Sequence, residues 1–120
     1  SLFIEADPAQ IRTSAEIGAQ VIELHTGSYC DAFRAGDFGR ADAILQRLRV
    51  GARQAVDLGL EVHAGHGIDF ATVKPVAAIA ELAELNIGHF LIGEAIFTGL
   101  APAIQRMRAL MDSARIELAA

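Results

Sequence analysis

One histidine of this chain stands in a setting suited to proton chemistry. His66 lies in Glu61-Val62-His63-Ala64-Gly65-His66-Gly67. Leu60 to Ala64 has the length and apolar content of a buried strand. Gly65 and Gly67 let the backbone turn tightly and approach a ligand closely. An imidazole held there titrates near neutral pH and can give or take a proton. Alone, the motif reads equally well as a strand-ending turn with a solvated ring. Other strand ends also carry polar groups, and this favours a site: Glu5 and Asp7, Glu23 and His25, Glu61 and His63, and His89.

The elements that must position these groups follow a simple alternation. Ser1 to Asp7 reads as a strand, and Asp7-Pro8 as a helix N-cap with Pro at the first helical position. Gly18 ends that short helix. Gln20 to Thr26 is the second strand, with Val21, Glu23 and His25 on one face and Ile22 and Leu24 on the other. Ser28 to Gly36 reads as a loop. Asp37 caps a helix running to about Leu58, whose stripe of Ile44, Leu45, Leu48, Ala52, Ala55 and Val56 has the spacing for one buried side. Gly59 suits its C-terminus. After the third strand, a helix is predicted from about Ala71 to Leu85, with Pro75 in its first turn and Asn86 as a left-handed terminal residue. Gly88 to Ile92 is the predicted fourth strand. Gly93 begins a turn, Gly93 to Gly99 holds a short extra helix, and the last helix runs from about Leu100 to Glu117.

Successive strand–helix units imply a parallel sheet with right-handed crossovers. Parallel strands covered on both faces are nearly all apolar, and these are not. A doubly wound sheet would bury Glu23, His25, Glu61 and His63 under helices at several kcal/mol each unless paired. A barrel gives them an interior that opens to ligand and water at the C-terminal mouth. The fold class is therefore α/β, half of an eight-stranded TIM barrel, with residues 1–120 as a single half-barrel. An eight-unit barrel typically needs ~250 residues, about twice this length. The glycines after the third and fourth strands suggest a phosphate site built from backbone N–H groups.

Composition narrows the function classes. Hydrophobic residues make up 52% of the 120, as in a globular chain. The net charge of −5 argues against a nucleic-acid surface. No apolar run approaches the ~20 residues of a membrane span. The single cysteine, Cys30, excludes an internal disulfide, suits a reducing compartment, and has no neighbour that activates it. His63-x-x-His66 across a strand end is not a standard ligand spacing, so no metal is expected. The chain opens without an initiator Met, so the expectation is an N-terminus further upstream, and a targeting signal is not readable.

The motifs Ile22-Glu23-Leu24-His25-Thr26-Gly27, Val62-His63-Ala64-Gly65-His66-Gly67 and Asn86-Ile87-Gly88-His89 resemble, in order and spacing, the pyridoxine 5′-phosphate synthase family. Ser1 to Asp7 and Gly93 to Gly99 resemble it as well. The resemblance runs from the family's fifth strand to its last helix. It implies condensation of 1-deoxy-D-xylulose 5-phosphate with 3-amino-2-oxopropyl phosphate to pyridoxine 5′-phosphate, phosphate and water. It also implies no metal or organic cofactor, a cytoplasmic location and a homo-oligomer. Residue by residue, it makes His66 the proton donor and Glu23 the carboxylate that stabilises a transition state. Gly67, Gly88 and His89 fall at positions that hold the amino-oxopropyl phosphate. The family's first four units, with its two proton acceptors, are absent here. The chain is accordingly read as the C-terminal half of a barrel that pairs with the missing half or with itself through open edges. The alternatives are a non-catalytic phosphate-binding half-barrel and an engineered folding module.

Overall fold

The structure is a computed structural model and describes residues 1–119. Its elements in order are β1 (Leu2–Ile4), α1 (Pro8–Glu16), β2 (Val21–His25), α2 (Gly27–Arg34), α3 (Phe38–Asp57), β3 (Glu61–Gly65), α4 (Val73–Ala77), β4 (Leu82–Asn86), α5 (His89–Thr98) and α6 (Leu100–Ala119). The strands form one parallel sheet in the order β1-β2-β3-β4. Each strand thus pairs with its chain neighbour, as in an arc of a (β/α)8 barrel rather than in a doubly wound sheet.

The two faces of the sheet differ because side chains alternate along a strand. Ile22, Leu24, Val62 and Ala64 point to the helices and are at most 1% exposed. They share one core with Ile11, Leu48, Ala52 and Met107. Burying an aliphatic side chain of this size stabilises by roughly 1.5–3 kcal/mol. The opposite face carries Phe3, Glu23, His63 and Glu84, which the strand register places in one row. This is the face that a barrel turns inward. Phe3 remains 55% exposed on it.

Several expected elements are confirmed at the level of single bonds. The Asp7 carboxylate accepts from the Gln10 amide at 3.1 Å, with Pro8 opening α1. Asp37 accepts from the Arg40 amide at 3.2 Å and starts α3. Gly18 and Gly59 have φ of 86° and 83°, the left-handed geometry expected just after a helix.

Other expectations need correction. The predicted loop Ser28 to Gly36 is largely the helix α2, which buries Tyr29, Cys30 and Ala32 against the core. The predicted helix from Ala71 to Leu85 shrinks to α4, and the fourth strand is Leu82–Asn86, not Gly88 to Ile92. Glu81 to Leu85 is rich in good helix formers, but tertiary contacts override that propensity. The Arg115 guanidinium from α6 takes the carbonyls of Ala77, Ile79 and Leu82 at 2.5, 3.0 and 2.6 Å, so they are spoken for outside a helix. The next residues then pair with β3, and Asn86 ends a strand level with Gly65 instead of capping a helix. His89 is consequently the first residue of α5, and Gly93 lies within that helix rather than at a turn.

Candidate active site

A cleft of about 770 Å³ opens at the C-terminal ends of the strands, lined in part by Phe3, Glu23, Arg34, Asn86 and Phe90. His66, Gly67, Gly88 and His89 belong to the same lining. The five residues singled out from the sequence, Glu23, His66, Gly67, Gly88 and His89, thus meet at one place. His63, the other histidine of the opening motif, does not join them. It lies deeper on the inner face, with its Nε2 2.7 Å from a Glu61 oxygen and 3.9 Å from one of Glu84.

The strand-ending turn after β3 is built to hold a ring in the open. His66 has φ 89° and Gly67 φ 81°. Such a φ on a non-glycine residue carries strain of order 1–3 kcal/mol and persists only where the surroundings enforce it. Here the enforcement is visible. The Thr26 hydroxyl is fully buried and shares its proton between the Gly65 carbonyl at 2.8 Å and the His66 carbonyl at 2.6 Å. The Thr26 amide also donates to Gly65 O at 2.9 Å. Arg34 Nη1 donates to the Gly67 carbonyl at 2.8 Å and to Asp69 Oδ2 at 3.1 Å, and its Nη2 reaches Asp31 at 3.1 Å. With every carbonyl of the turn tied back, the His66 side chain is left facing the cleft.

The electrostatics of that strap are mutually supporting. Burial alone would push the Asp69 carboxyl up, but the hydroxyl and amide of Thr72, Arg34 and the Ala71 amide outweigh it and hold it below the ordinary range. Burial works against the Arg34 charge, and the carboxylates of Asp69 and Asp31 more than restore it. Cys30 sits beneath the turn, fully buried, and burial pushes its thiol up. A raised thiol is a poor nucleophile, in line with its reading as inert.

Glu23 of β2 is fixed from β4, across the end of β3. Asn86 Nδ2 donates to Glu23 Oε1 at 2.7 Å. The other oxygen occupies the space above Gly65, where a Cβ would come within 2.6 Å of it. A carboxylate so placed can orient a donor or offset positive charge developing in the cleft.

The far wall is the start of α5. Gly88 caps it without a side-chain hydrogen bond, and the first intrahelical bond runs from the Ile92 amide to Gly88 O at 3.0 Å. The earlier amides of the turn lack helical partners and, with the positive end of the helix dipole, suit an anion. Phe90 anchors this wall edge-on against Phe70, with ring centroids 4.7 Å apart, and Arg106 of α6 lies 4.1 Å above the Phe70 ring.

Sequence reasoning did not assign Arg34, Asp69, Asn86 or Thr26 to the site, although Thr26 and Asn86 stand within the motifs quoted above. Arg34 fell in the segment taken for a loop, although Tyr29, Cys30, Ala32 and Phe33 already have helical spacing. Among the described residues no cluster of His, Cys, Asp and Glu suited to a metal ion occurs. Nor is any helix among them long and apolar enough to cross a membrane.

Comparison with known proteins bears on the same stretch of chain. Residues 1–113 match the family model described as "Pyridoxal phosphate biosynthesis protein PdxJ". The chain is 73% identical over 120 residues to a protein of Caulobacter sp. (strain K31) named pyridoxine 5′-phosphate synthase, covering 100% of this chain and 48% of that one. A protein of the same name from Caulobacter vibrioides (strain NA1000 / CB15N) is 73% identical over 118 residues, 98% of this chain and 46% of its own. One from Xanthobacter autotrophicus is 61% identical over 115 residues, 96% and 45%. The chain thus spans about half the length of these relatives. With the family model covering nearly all of a four-stranded βα arc, the chain belongs to the PdxJ family of pyridoxal phosphate biosynthesis proteins.

Proposed function

We propose that this chain is the C-terminal half-barrel of a pyridoxine 5′-phosphate synthase and supplies one side of its active site. The full reaction condenses 1-deoxy-D-xylulose 5-phosphate with 3-amino-2-oxopropyl phosphate and releases phosphate and water, a transferase-type condensation. The observation that carries this reading is the convergence of Glu23, His66, Gly67, Gly88 and His89 on one cleft. His66 is the proton donor, on a turn that leaves its ring free to reach a leaving oxygen. Glu23 stabilises charge on the condensing amine or imine. The amides at Gly67, Gly88 and His89 hold the phosphate of the amino-oxopropyl substrate.

The partner in this reading is the remaining half of the barrel, which brings the two proton acceptors, a His and a Glu. The exposed inner face and the open edges of β1 and β4 support association with it or with further copies of the chain. No metal or organic cofactor takes part, and the cytoplasm is the site of action. The test joins this chain to the N-terminal half of the Caulobacter sp. relative and assays pyridoxine 5′-phosphate formation. Turnover by the chimera and none by the chain alone is the expected result. A folded chimera that binds the phosphorylated substrate without turnover would overturn the enzymatic reading in favour of a binding module.

A further inference from the structure

His66 is exposed, and two rotatable bonds separate its ring from the strained backbone. The clamps on the turn fix the carbonyls but not the ring. Its aromatic neighbours are His25, with centroids 4.5 Å apart and planes at 33°, and more remotely Phe3 at 6.4 Å. His25 is itself pinned from two sides. Its Nδ1 accepts the Gly27 amide at 3.0 Å, which holds the neutral ring as the Nε2–H tautomer. Phe3 stacks on it at 4.9 Å, with planes within 23°. Stacked rings at these separations attract one another beyond simple burial.

Gly27 completes the arrangement. A Cβ at that position would come 2.4 Å from His25 Cε1 and 2.8 Å from His66 Cδ2. A glycine therefore stands where the two rings converge, and any side chain would push them apart.

We infer that His25 is a positioning residue, whose ring, fixed by Phe3 and the Gly27 amide, is the platform that sets the imidazole of His66 over the cleft. The role rests on His66 being the proton donor, but the ring geometry it invokes is measurable without turnover. His25 touches no reacting atom in this scheme. It acts by restricting His66 to the orientation in which its proton is in reach, and misplacement of a catalytic group by about 1 Å can lower a rate by 10².

The test uses the same chimeric barrel with His25→Ala, His25→Phe and Gly27→Ala, each checked for folding by its melting curve. His25→Ala is expected to lower kcat by tenfold to a hundredfold while KM for the amino-oxopropyl phosphate changes less than about threefold. His25→Phe keeps a flat ring beside Phe3 but loses the acceptor for the Gly27 amide, so its kcat should lie between those of His25→Ala and the parent, while Gly27→Ala should resemble His25→Ala. In parallel, the His66 ring-proton resonances should move in His25→Ala, through loss of the neighbouring ring current, and stay near their parent positions in His25→Phe. Unchanged His66 resonances in folded His25→Ala would overturn the inference even if the chimera makes no product. An unchanged kcat in that variant, or a His25→Phe protein as slow as His25→Ala, would overturn it in an active one.

Discussion

The loops after β3 and β4 form opposing walls of one cleft and are held in opposite ways. The β3 loop is strapped by polar groups from outside itself, the Thr26 hydroxyl and the Arg34 guanidinium, the latter also paired with the loop's own Asp69. Those bonds enforce positive φ at consecutive residues, His66 and Gly67. The β4 loop carries no side-chain cap at Gly88 and rests on apolar contact between Phe90 and Phe70. The difference fits the two tasks proposed for these walls. A proton donor needs a backbone held at one place, and strain enforced by neighbours achieves that. A phosphate is held by several amides at once, and a helix end offers them without further help.

The largest expected effect comes from removing the group that the strapped loop presents. In the chimeric barrel, His66→Gln should lower kcat by 10²–10⁴, the usual contribution of general acid catalysis, with KM for the amino-oxopropyl phosphate little changed. Steady-state rates and melting curves measured together check this. A drop in melting temperature with an unchanged rate per folded molecule would mean that His66 serves only the turn.

The strap predicts the next effect. At φ 81°, Gly67 is in a region that side chains avoid, and a Cβ there would approach the Cys30 Cβ to 3.3 Å. Gly67→Ala should destabilise by roughly 1–3 kcal/mol, from backbone strain and crowding together. Chemical denaturation reads it directly, and a change under about 0.5 kcal/mol would mean that the turn is looser than its bonds indicate.

How much of this contrast was legible in the sequence differs between the same two loops. Glycines on either side of a histidine, after an apolar strand, exposed the β3 turn, because strand length, turn residues and polarity all agreed. What fixes the turn was not legible, since Thr26 and Arg34 are brought to it by long-range packing. The β4 region was misread by one element. Ala-Glu-Leu composition mimicked a helix, and the apolar run from Phe90 to Ile92 mimicked a strand. The register against β3 and the Arg115 clasp on three carbonyls decide the matter, and neither leaves a local signal. Gly88 and His89 nevertheless line the cleft, because a strand end and a helix start at the barrel mouth present nearly the same residues to it.

Asp69 gives a smaller effect with a defined pH window. Its carboxylate accepts from the amides of Ala71 and Thr72 at 2.9 and 3.0 Å as well as from Arg34. Held below the ordinary range, it binds a proton less readily folded than unfolded. Its contribution to stability is therefore complete above the unfolded value near pH 4 and is lost as the pH falls through the folded value. Asp69→Asn should lower stability at neutral pH by about 1 kcal/mol, as for loss of a cap. It should also lose less than the parent on acidification below about pH 4. Parallel denaturation curves at pH 7 and pH 3 check both, and identical acid slopes would place the acid sensitivity elsewhere.

The smallest expected effect lies on the other wall and separates the two kinds of loop most sharply. Gly88 has an ordinary φ of −118°, and a Cβ built on it meets nothing within 4 Å. Unlike Gly67, it owes nothing to a forbidden conformation. Gly88→Ala should leave the stability of the ligand-free barrel within about 0.5 kcal/mol, since the reduced freedom of the unfolded chain offsets a slightly poorer cap. The added methyl should be felt only when an anion approaches the start of α5. The expected change is a rise in KM for the amino-oxopropyl phosphate on the order of threefold at unchanged kcat, the signature of lost uniform binding. Gly67→Ala would instead lower stability before any ligand is added. If Gly88→Ala proves as destabilising as Gly67→Ala, the β4 loop is enforced as strongly as the β3 loop, and strain ceases to distinguish the wall proposed to present a proton from the wall proposed to receive a phosphate.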